Sequence, residues 1–143
     1  MSKLIIIILF FIIPMKSYAD TTLRMASWLP PQHPWVLDIM VPWIEKVKVA
    51  TEGRVKIELL SAPIGPPPAH FNFAVKGIAD ITYGVHNYTT GRFSSTQIAE
   101  LPFLSNSSEV LSVAWQRIYE RELLHLDEHK GTHLLGVFTH GPG

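Results

Sequence analysis

Two short strings in the sequence carry residue types that could do chemistry. The first is HLDEH at 125–129, in which His125 and His129 stand four residues apart and Glu128 precedes the second histidine. On a continuous helix the two imidazoles would share one face and could bind zinc, with Glu128 as general base, as in inverted zinc metallopeptidases. However, the string lies at the polar end of a predicted helix, and no obvious third ligand follows it. A solvated helix end is the favoured interpretation, and a secreted zinc hydrolase is the alternative.

The second string, HNYTTGRF at 86–93, carries groups suited to holding a polar ligand. His86, Asn87 and Tyr88 offer an imidazole, an amide and a phenol that can orient such a ligand, and the Tyr88 ring adds an apolar wall. Trp28 offers a second aromatic surface. The alternatives are a surface loop, whose Asn and Gly serve turns, and a core position for Trp28.

Strands and helices that alternate along the chain must position these residues. Hydrophobic periodicity and the placement of Pro and Gly predict four strands, three helices and one short extended piece. Pro42 is expected to kink the first helix, and Ser107 or Ser108 to cap the third. The predicted strands cover 22–28, 54–60, 78–85 and 133–138, the helices 34–52, 69–76 and 107–130, and the extended piece 98–104.

The alternation of strand and helix predicts an α/β fold with a largely parallel sheet flanked by helices. Ligands of such sheets bind beyond the carboxyl ends of the strands. That rule selects the segments 28–33, 61–70, 86–92 and 139–143. They include Trp28 at the end of the first predicted strand, His86 after the third, and Thr139 and His140 after the last.

The composition excludes several classes of function. Twelve basic and twelve acidic residues give a formal net charge of zero, which gives no electrostatic reason to expect a nucleic acid partner. The absence of cysteine excludes disulfides, thiolate metal sites and cysteine nucleophiles. The chain also lacks a nucleophile elbow, a phosphate-binding glycine loop and a dinucleotide fingerprint, so we expect no catalytic residue, metal or cofactor.

The first 19 residues have the pattern of a signal peptide. Lys3 precedes an apolar run of ten residues that Pro14 ends, and Ser17 and Ala19 place small residues at the positions that a signal peptidase reads. A membrane-spanning helix needs about 20 apolar residues, so an anchor is the weaker alternative. The predicted domains are therefore a leader at 1–19 and one mature domain at 20–143, in an exported protein.

The order of several short strings in the mature chain resembles the N-terminal part of the periplasmic solute-binding proteins of TRAP transporters, the DctP-type family. The similarity covers essentially residues 23–143. Its strings are Trp28-Leu29-Pro30, His33-Pro34, Thr51-Glu52-Gly53-Arg54-Val55, Gly65, Val75-Lys76-Gly77-Ile78-Ala79-Asp80-Ile81, Tyr88-Thr89-Thr90-Gly91-Arg92-Phe93, Glu100-Leu101-Pro102-Phe103 and His140-Gly141-Pro142-Gly143.

This resemblance implies a non-enzymatic receptor whose two α/β lobes close on a small organic acid and present it to a membrane permease. It implies that Trp28, His86, Asn87 and Tyr88 line the cleft, that Thr139 and His140 lie where the chain enters the hinge, and that Arg92 is structural. A receptor of an ATP-driven importer is a further alternative, since its lobes share the same α/β architecture.

The family's main carboxylate anchor is an arginine of the second lobe, which follows a G-[LIV]-K-[IV]-R type motif. That motif does not occur in this sequence. The resemblance therefore implies a first lobe that is truncated at the hinge near Gly143, with the second lobe and its anchoring arginine absent from the chain.

Overall fold

A computed structural model describes residues 20–140, so the predicted leader and the last three residues lie outside the described range. Its sheet has three parallel strands in the order β2-β1-β3. The strands are β1 (Thr21–Ala26), β2 (Val55–Leu59) and β3 (Ile81–Thr82). The register pairs Met25 of β1 with Leu59 on one side and Ile81 on the other. This confirms the predicted α/β class, and the carboxyl ends of the strands meet at one edge.

The third strand is much shorter than the predicted 78–85. Its late start has a cause at Asp80, whose backbone N–H donates to the Arg24 carbonyl at 2.9 Å while its carboxylate accepts the Arg24 backbone N–H at 2.7 Å. A side chain thus takes the place of a ladder carbonyl, and regular pairing begins only at Ile81.

The first helical segment begins as a π-helical turn (Trp35–Met40) and continues as helix α1 (Val41–Ala50). The backbone N–H of Val41 donates to the carbonyl of Val36, five residues back, and Pro42 has no N–H to donate. The effect expected at Pro42 therefore takes the form of a change in hydrogen-bond pattern. This segment covers β1 and forms a core around Met25, Val36 and Met40.

Helix α2 (His70–Val75) follows a short 3₁₀ turn (Pro67–Ala69), close to the predicted 69–76. Gly77 ends the segment with φ at +66°, a conformation that suits glycine. The proline-rich loop that precedes α2 packs against it at Gly65, where an added Cβ would lie 2.7 Å from Cζ of Phe73.

Helix α3 (Ser108–Ile118) begins at the expected cap, since the Ser107 hydroxyl accepts the backbone N–H of Val110 at 3.3 Å. A π-helical turn (Tyr119–Leu123) and a 3₁₀ turn (Leu124–Leu126) extend it. The predicted end at Lys130 is wrong, because Asp127 adopts a left-handed φ of 56° and reverses the chain.

No helix in the described range is long and apolar enough to cross a membrane.

Two predicted extended segments are not strands. Residues 133–138 run beside α3, whose side chains accept the amides that a strand would need: Gln116 Oε1 accepts from Val137 at 2.7 Å, and Ser112 Oγ from Thr139 at 2.9 Å. A second core of Trp115, Tyr119 and Val137 holds this segment. Within 98–104, a 3₁₀ turn (Thr96–Glu100) is followed by an irregular turn.

Candidate functional site

Aromatic side chains gather where β1 and β3 end. The rings of Trp28 and Tyr83 stack with centroids 4.4 Å apart and planes 15° apart, and Tyr88 lies 6.3 Å from Trp28. The chain reaches these positions because β1 and β3 are parallel neighbours, so the residues that follow them emerge side by side. The structure thus brings Trp28 and Tyr88 together at the edge that the sequence selected.

Two more rings continue this stack. Tyr83 stacks with Trp35 at 5.7 Å and with Phe138 at 5.9 Å, and those two rings lie 5.2 Å apart. We call Trp28, Tyr83, Trp35 and Phe138 the aromatic row. Sequence reasoning missed the part of Trp35 and Phe138 in it, because Trp35 falls in the predicted helix 34–52 and Phe138 in the predicted strand 133–138. Tyr83 was also missed, although its position next to the end of β3 was an available signal.

A groove of about 400 Å³ opens at the Phe138 end of the row. His140 presents an edge contact to Trp35 at 5.8 Å, with the two ring planes 84° apart. The Thr139 hydroxyl lies 3.2 Å from the Ser112 hydroxyl and donates to the Ser108 carbonyl at 3.3 Å. Thr139 and His140 therefore lie at one end of the row, and Trp28 lies at the other.

His86 and Asn87 make different contacts. The His86 ring stacks on the buried Phe93 at 4.5 Å, and its Nε2 lies 3.2 Å from Nε2 of His129. The backbone N–H of Asn87 donates to Glu100 Oε1 at 3.1 Å. Of the predicted ligand loop, Tyr88 thus approaches Trp28, while His86 packs into a buried cluster. Whether any of these residues contacts a ligand stays a prediction.

The His86 and His129 imidazoles are held in their neutral forms. Burial, together with the neighbouring His129, lowers the pKa of His86 from an ordinary 6.5 to about 4, although Glu128 opposes the shift. Burial also lowers the pKa of His129, where the carboxylate of Glu128 opposes the shift and the guanidinium of Arg92 adds to it. The Tyr119 hydroxyl completes the cluster 2.7 Å from His129 Nδ1.

The zinc alternative is wrong in its geometry. The helix ends at Leu126, so His125 and His129 do not lie on one helical face. His129 is paired with His86, and the Glu128 carboxylate accepts the backbone N–H of Ser95 at 2.8 Å. Residues 20–140 contain no group of three side chains able to hold a metal ion. The HLDEH string instead ties the end of the α3 segment to the loop that follows β3.

Arg92 plays a structural part in this connection. Its guanidinium lies over the Phe71 ring, 4.5 Å from the centroid, and donates to the carbonyls of Glu128 at 3.3 Å and Lys130 at 3.4 Å. Arg92 thus connects the HNYTTGRF loop to the turn at residues 128–130.

Solved structures with the same fold are receptors. A TRAP periplasmic solute-binding protein from Bordetella bronchiseptica, with bound (R)- and (S)-mandelate, superposes with a TM-score of 0.82 at 42% identity, over 86% of this chain and 39% of that one. A TRAP solute-binding protein from Rhodoferax ferrireducens, in complex with copurified benzoate, gives a TM-score of 0.78 at 30% identity, over 86% and 38% of the two chains.

Sequence comparison gives a similar coverage. The chain is 34% identical over 132 residues to the protein named outer membrane transporter protein TsaT of Comamonas testosteroni, which covers 92% of this chain and 39% of the relative. It thus spans about two fifths of the length of the relatives it matches. The model of the DctP family, bacterial extracellular solute-binding protein family 7, matches residues 25–142. The chain therefore belongs to the DctP family of bacterial extracellular solute-binding proteins.

Proposed function

We propose that this chain forms one wall of a periplasmic receptor that captures a small aromatic carboxylate and delivers it to the permease subunits of a TRAP transporter, without catalysing a reaction. The observation that carries the proposal is the aromatic row at the carboxyl edge of the sheet. Two solved relatives at 30% identity or more hold mandelate and benzoate, both of which combine one ring with one carboxylate.

The row suits a flat ring because its own members already lie nearly parallel. A ligand ring placed against Trp28 or Phe138 would extend the stack, and such contacts are worth about 0.5–1.5 kcal/mol beyond the area they bury. Phe138 is 44% exposed and Tyr88 46% exposed, so both have ring surface free to be covered. Polar groups near the row's two ends, on Tyr88 and His140, can orient the carboxylate.

The opposite wall and the main positive charge come from a second lobe outside this chain. The chain covers 39% of its relatives, which leaves room in them for another lobe of similar size. The family resemblance assigns the anchoring arginine to that lobe, and the engagement of Arg92 with two carbonyls is consistent with this assignment. Export by the predicted leader places the assembled receptor in the periplasm.

Calorimetric titration of the full-length protein tests this function. Benzoate carries both ring and carboxylate, acetate carries the carboxylate without the ring, and benzyl alcohol carries the ring without the charge. We expect saturable binding of benzoate and at least tenfold weaker binding of the other two, because acetate lacks the ring and benzyl alcohol lacks the carboxylate.

Substitutions at the row give the matched control. Trp28→Leu removes a ring that stacks on Tyr83 and should weaken benzoate binding about tenfold. Phe103→Leu changes an aromatic residue that is 91% exposed and should leave the affinity unchanged. Equal binding of acetate and benzoate, or an unaltered affinity of Trp28→Leu, would remove the case for an aromatic ligand.

A further inference from the structure

The loop that follows β3 contacts the turn around His129, which follows the α3 segment. His86 begins a 3₁₀ turn (His86–Tyr88), which carries three of the predicted ligand residues. Its imidazole makes a nitrogen-to-nitrogen contact of 3.2 Å with His129, 43 residues later in the chain. Phe93, 2% exposed, covers both rings at centroid distances of 4.5 and 4.9 Å. The first turn of the ligand loop is thus connected to a distant segment through this pair of side chains, while Arg92 and Ser95 connect the later part of the loop to the same segment.

The hydrogen-bond directions in this chain of groups are mutually constrained. The Tyr119 hydroxyl lies 2.7 Å from His129 Nδ1 and is the better proton donor of the two when both are neutral. If Tyr119 donates, His129 carries its own proton on Nε2 and donates it to Nε2 of His86. His86 then carries its proton on Nδ1. Two imidazolium rings cannot make this contact, because each would present an N–H to the other.

The charged groups around the pair act in opposite directions: the Arg92 guanidinium favours neutral His129, whereas the Glu128 carboxylate favours the charged forms of both rings. Arg92 binds the carbonyls of the turn on either side of His129, which brings a positive charge close to the ring. The Glu128 carboxylate is turned towards the backbone N–H of Ser95 and the Ser94 hydroxyl. Burial opposes the charged form of Glu128, but the hydrogen bonds from this loop hold its pKa below the ordinary value.

We propose that His129 is a positioning residue for the ligand loop: its contact with His86 fixes the 3₁₀ turn that places Tyr88 beside Trp28, and protonation of both rings releases that turn. The expected effect of this contact on ligand affinity rests on the proposed function. The structural part of the proposal, that His129 orders the loop, rests only on contacts within this chain. Because both rings must be protonated, affinity should fall only as the pH approaches the His86 pKa of about 4.

The test uses the full-length protein labelled with ¹⁵N-histidine, with benzoate as the ligand. In wild type, long-range proton–nitrogen spectra should show the proton on Nδ1 of His86 and on Nε2 of His129. His129→Gln should raise the pKa of His86 from about 4 towards 6.5, because the freed loop exposes the ring. The same variant should bind benzoate about tenfold more weakly at pH 7.5, as for one lost hydrogen bond.

The matched control is His125→Gln, which alters an exposed histidine of the same string. It should leave both the benzoate affinity and the pKa of His86 unchanged. Tyr119→Phe, which keeps the ring and removes the donor to His129, should shift the tautomers of the pair even if His129→Gln fails to fold. A tautomer pattern that does not respond to Tyr119→Phe, or a folded His129→Gln with an unchanged His86 pKa, overturns the inference.

The two proposals fail in different ways. If wild type does not bind benzoate but the pKa of His86 rises in His129→Gln, the loop-ordering role stands and the proposed ligand is wrong. If wild type binds benzoate and His129→Gln binds it equally well, the ligand class stands and the positioning role is wrong.

Discussion

At the scale of single residues, the His86 and His129 pair makes the fold sensitive to acid. Both pKa values are lowered in the folded chain, so the unfolded chain binds more protons between about pH 6.5 and pH 4. The stabilisation from the neutral pair is complete above pH 6.5 and is lost as the pH falls towards 4. We expect a loss of about 1–3 kcal/mol of unfolding free energy across this range.

Urea denaturation at a series of pH values measures this loss. Because carboxylates also titrate in acid, the useful quantity is the difference between wild type and the double variant His86→Gln/His129→Gln. The slope of stability against pH should be shallower in the double variant and unchanged in His125→Gln. Equal slopes in all three proteins would mean that the pair contributes nothing to acid sensitivity.

Residue types and strand order predicted part of the site. Trp28 and Tyr88 could be placed at one edge because each follows a parallel strand that the hydrophobic pattern revealed. The contact of His86 with His129 could not be predicted, since nothing local relates two residues 43 positions apart. Phe138 was missed because a strand was expected where side chains of α3 accept the backbone amides.

At the scale of elements, the approach of the proline-rich loop to α2 depends on the absence of a side chain at Gly65. An added Cβ would lie 2.7 Å from Cζ of Phe73 and 3.0 Å from its Cε2, so the ring or the loop must move. Gly65→Ala should therefore destabilise the chain by about 1–3 kcal/mol, the usual cost of overpacking.

Thermal unfolding of Gly65→Ala beside Gly84→Ala tests this contact. Gly84 has no atom within 4 Å of an added Cβ and no positive φ, so its alanine variant should be neutral or slightly stabilising. A Gly65→Ala protein as stable as Gly84→Ala would show that the loop does not pack against Phe73 in solution.

The start of α3 offers a second test at this scale. The Ser107 side chain accepts the backbone N–H of Val110, which would otherwise lack a partner at the helix end. Ser107→Ala should cost about 1 kcal/mol of unfolding free energy, whereas Ser107→Asp, which also accepts this N–H, should retain most of it. The result is read from denaturant midpoints, and equal midpoints for the two variants would contradict the cap.

The ends of the elements were harder to predict than their existence. The alternating pattern was sufficient for three parallel strands and three helical segments. The end of the α3 segment at Leu126 depends on a left-handed Asp127, in a sequence that continues with helix-compatible residues as far as Gly131. The short β3 depends on the Asp80 carboxylate, which competes with the backbone for the Arg24 amide.

At the scale of the whole molecule, the proposed function makes this chain one side of a binding cleft. A ligand held by one wall stays half solvated, and closure of two lobes is what buries its surface. We therefore expect residues 20–143 alone to give no measurable heat with benzoate, whereas the full-length protein binds it. Tight binding by the shorter protein would show that the cleft needs no second lobe.

The most direct test of the account is a crystal structure of the full-length protein grown with benzoate. The account predicts the ligand ring within about 4.5–7 Å, centroid to centroid, of Trp28, Tyr83 or Phe138, which is the range of favourable aromatic contacts. Its carboxylate should meet an arginine that lies outside the present chain. Benzoate bound away from the aromatic row, with none of these rings in contact, would contradict the central claim.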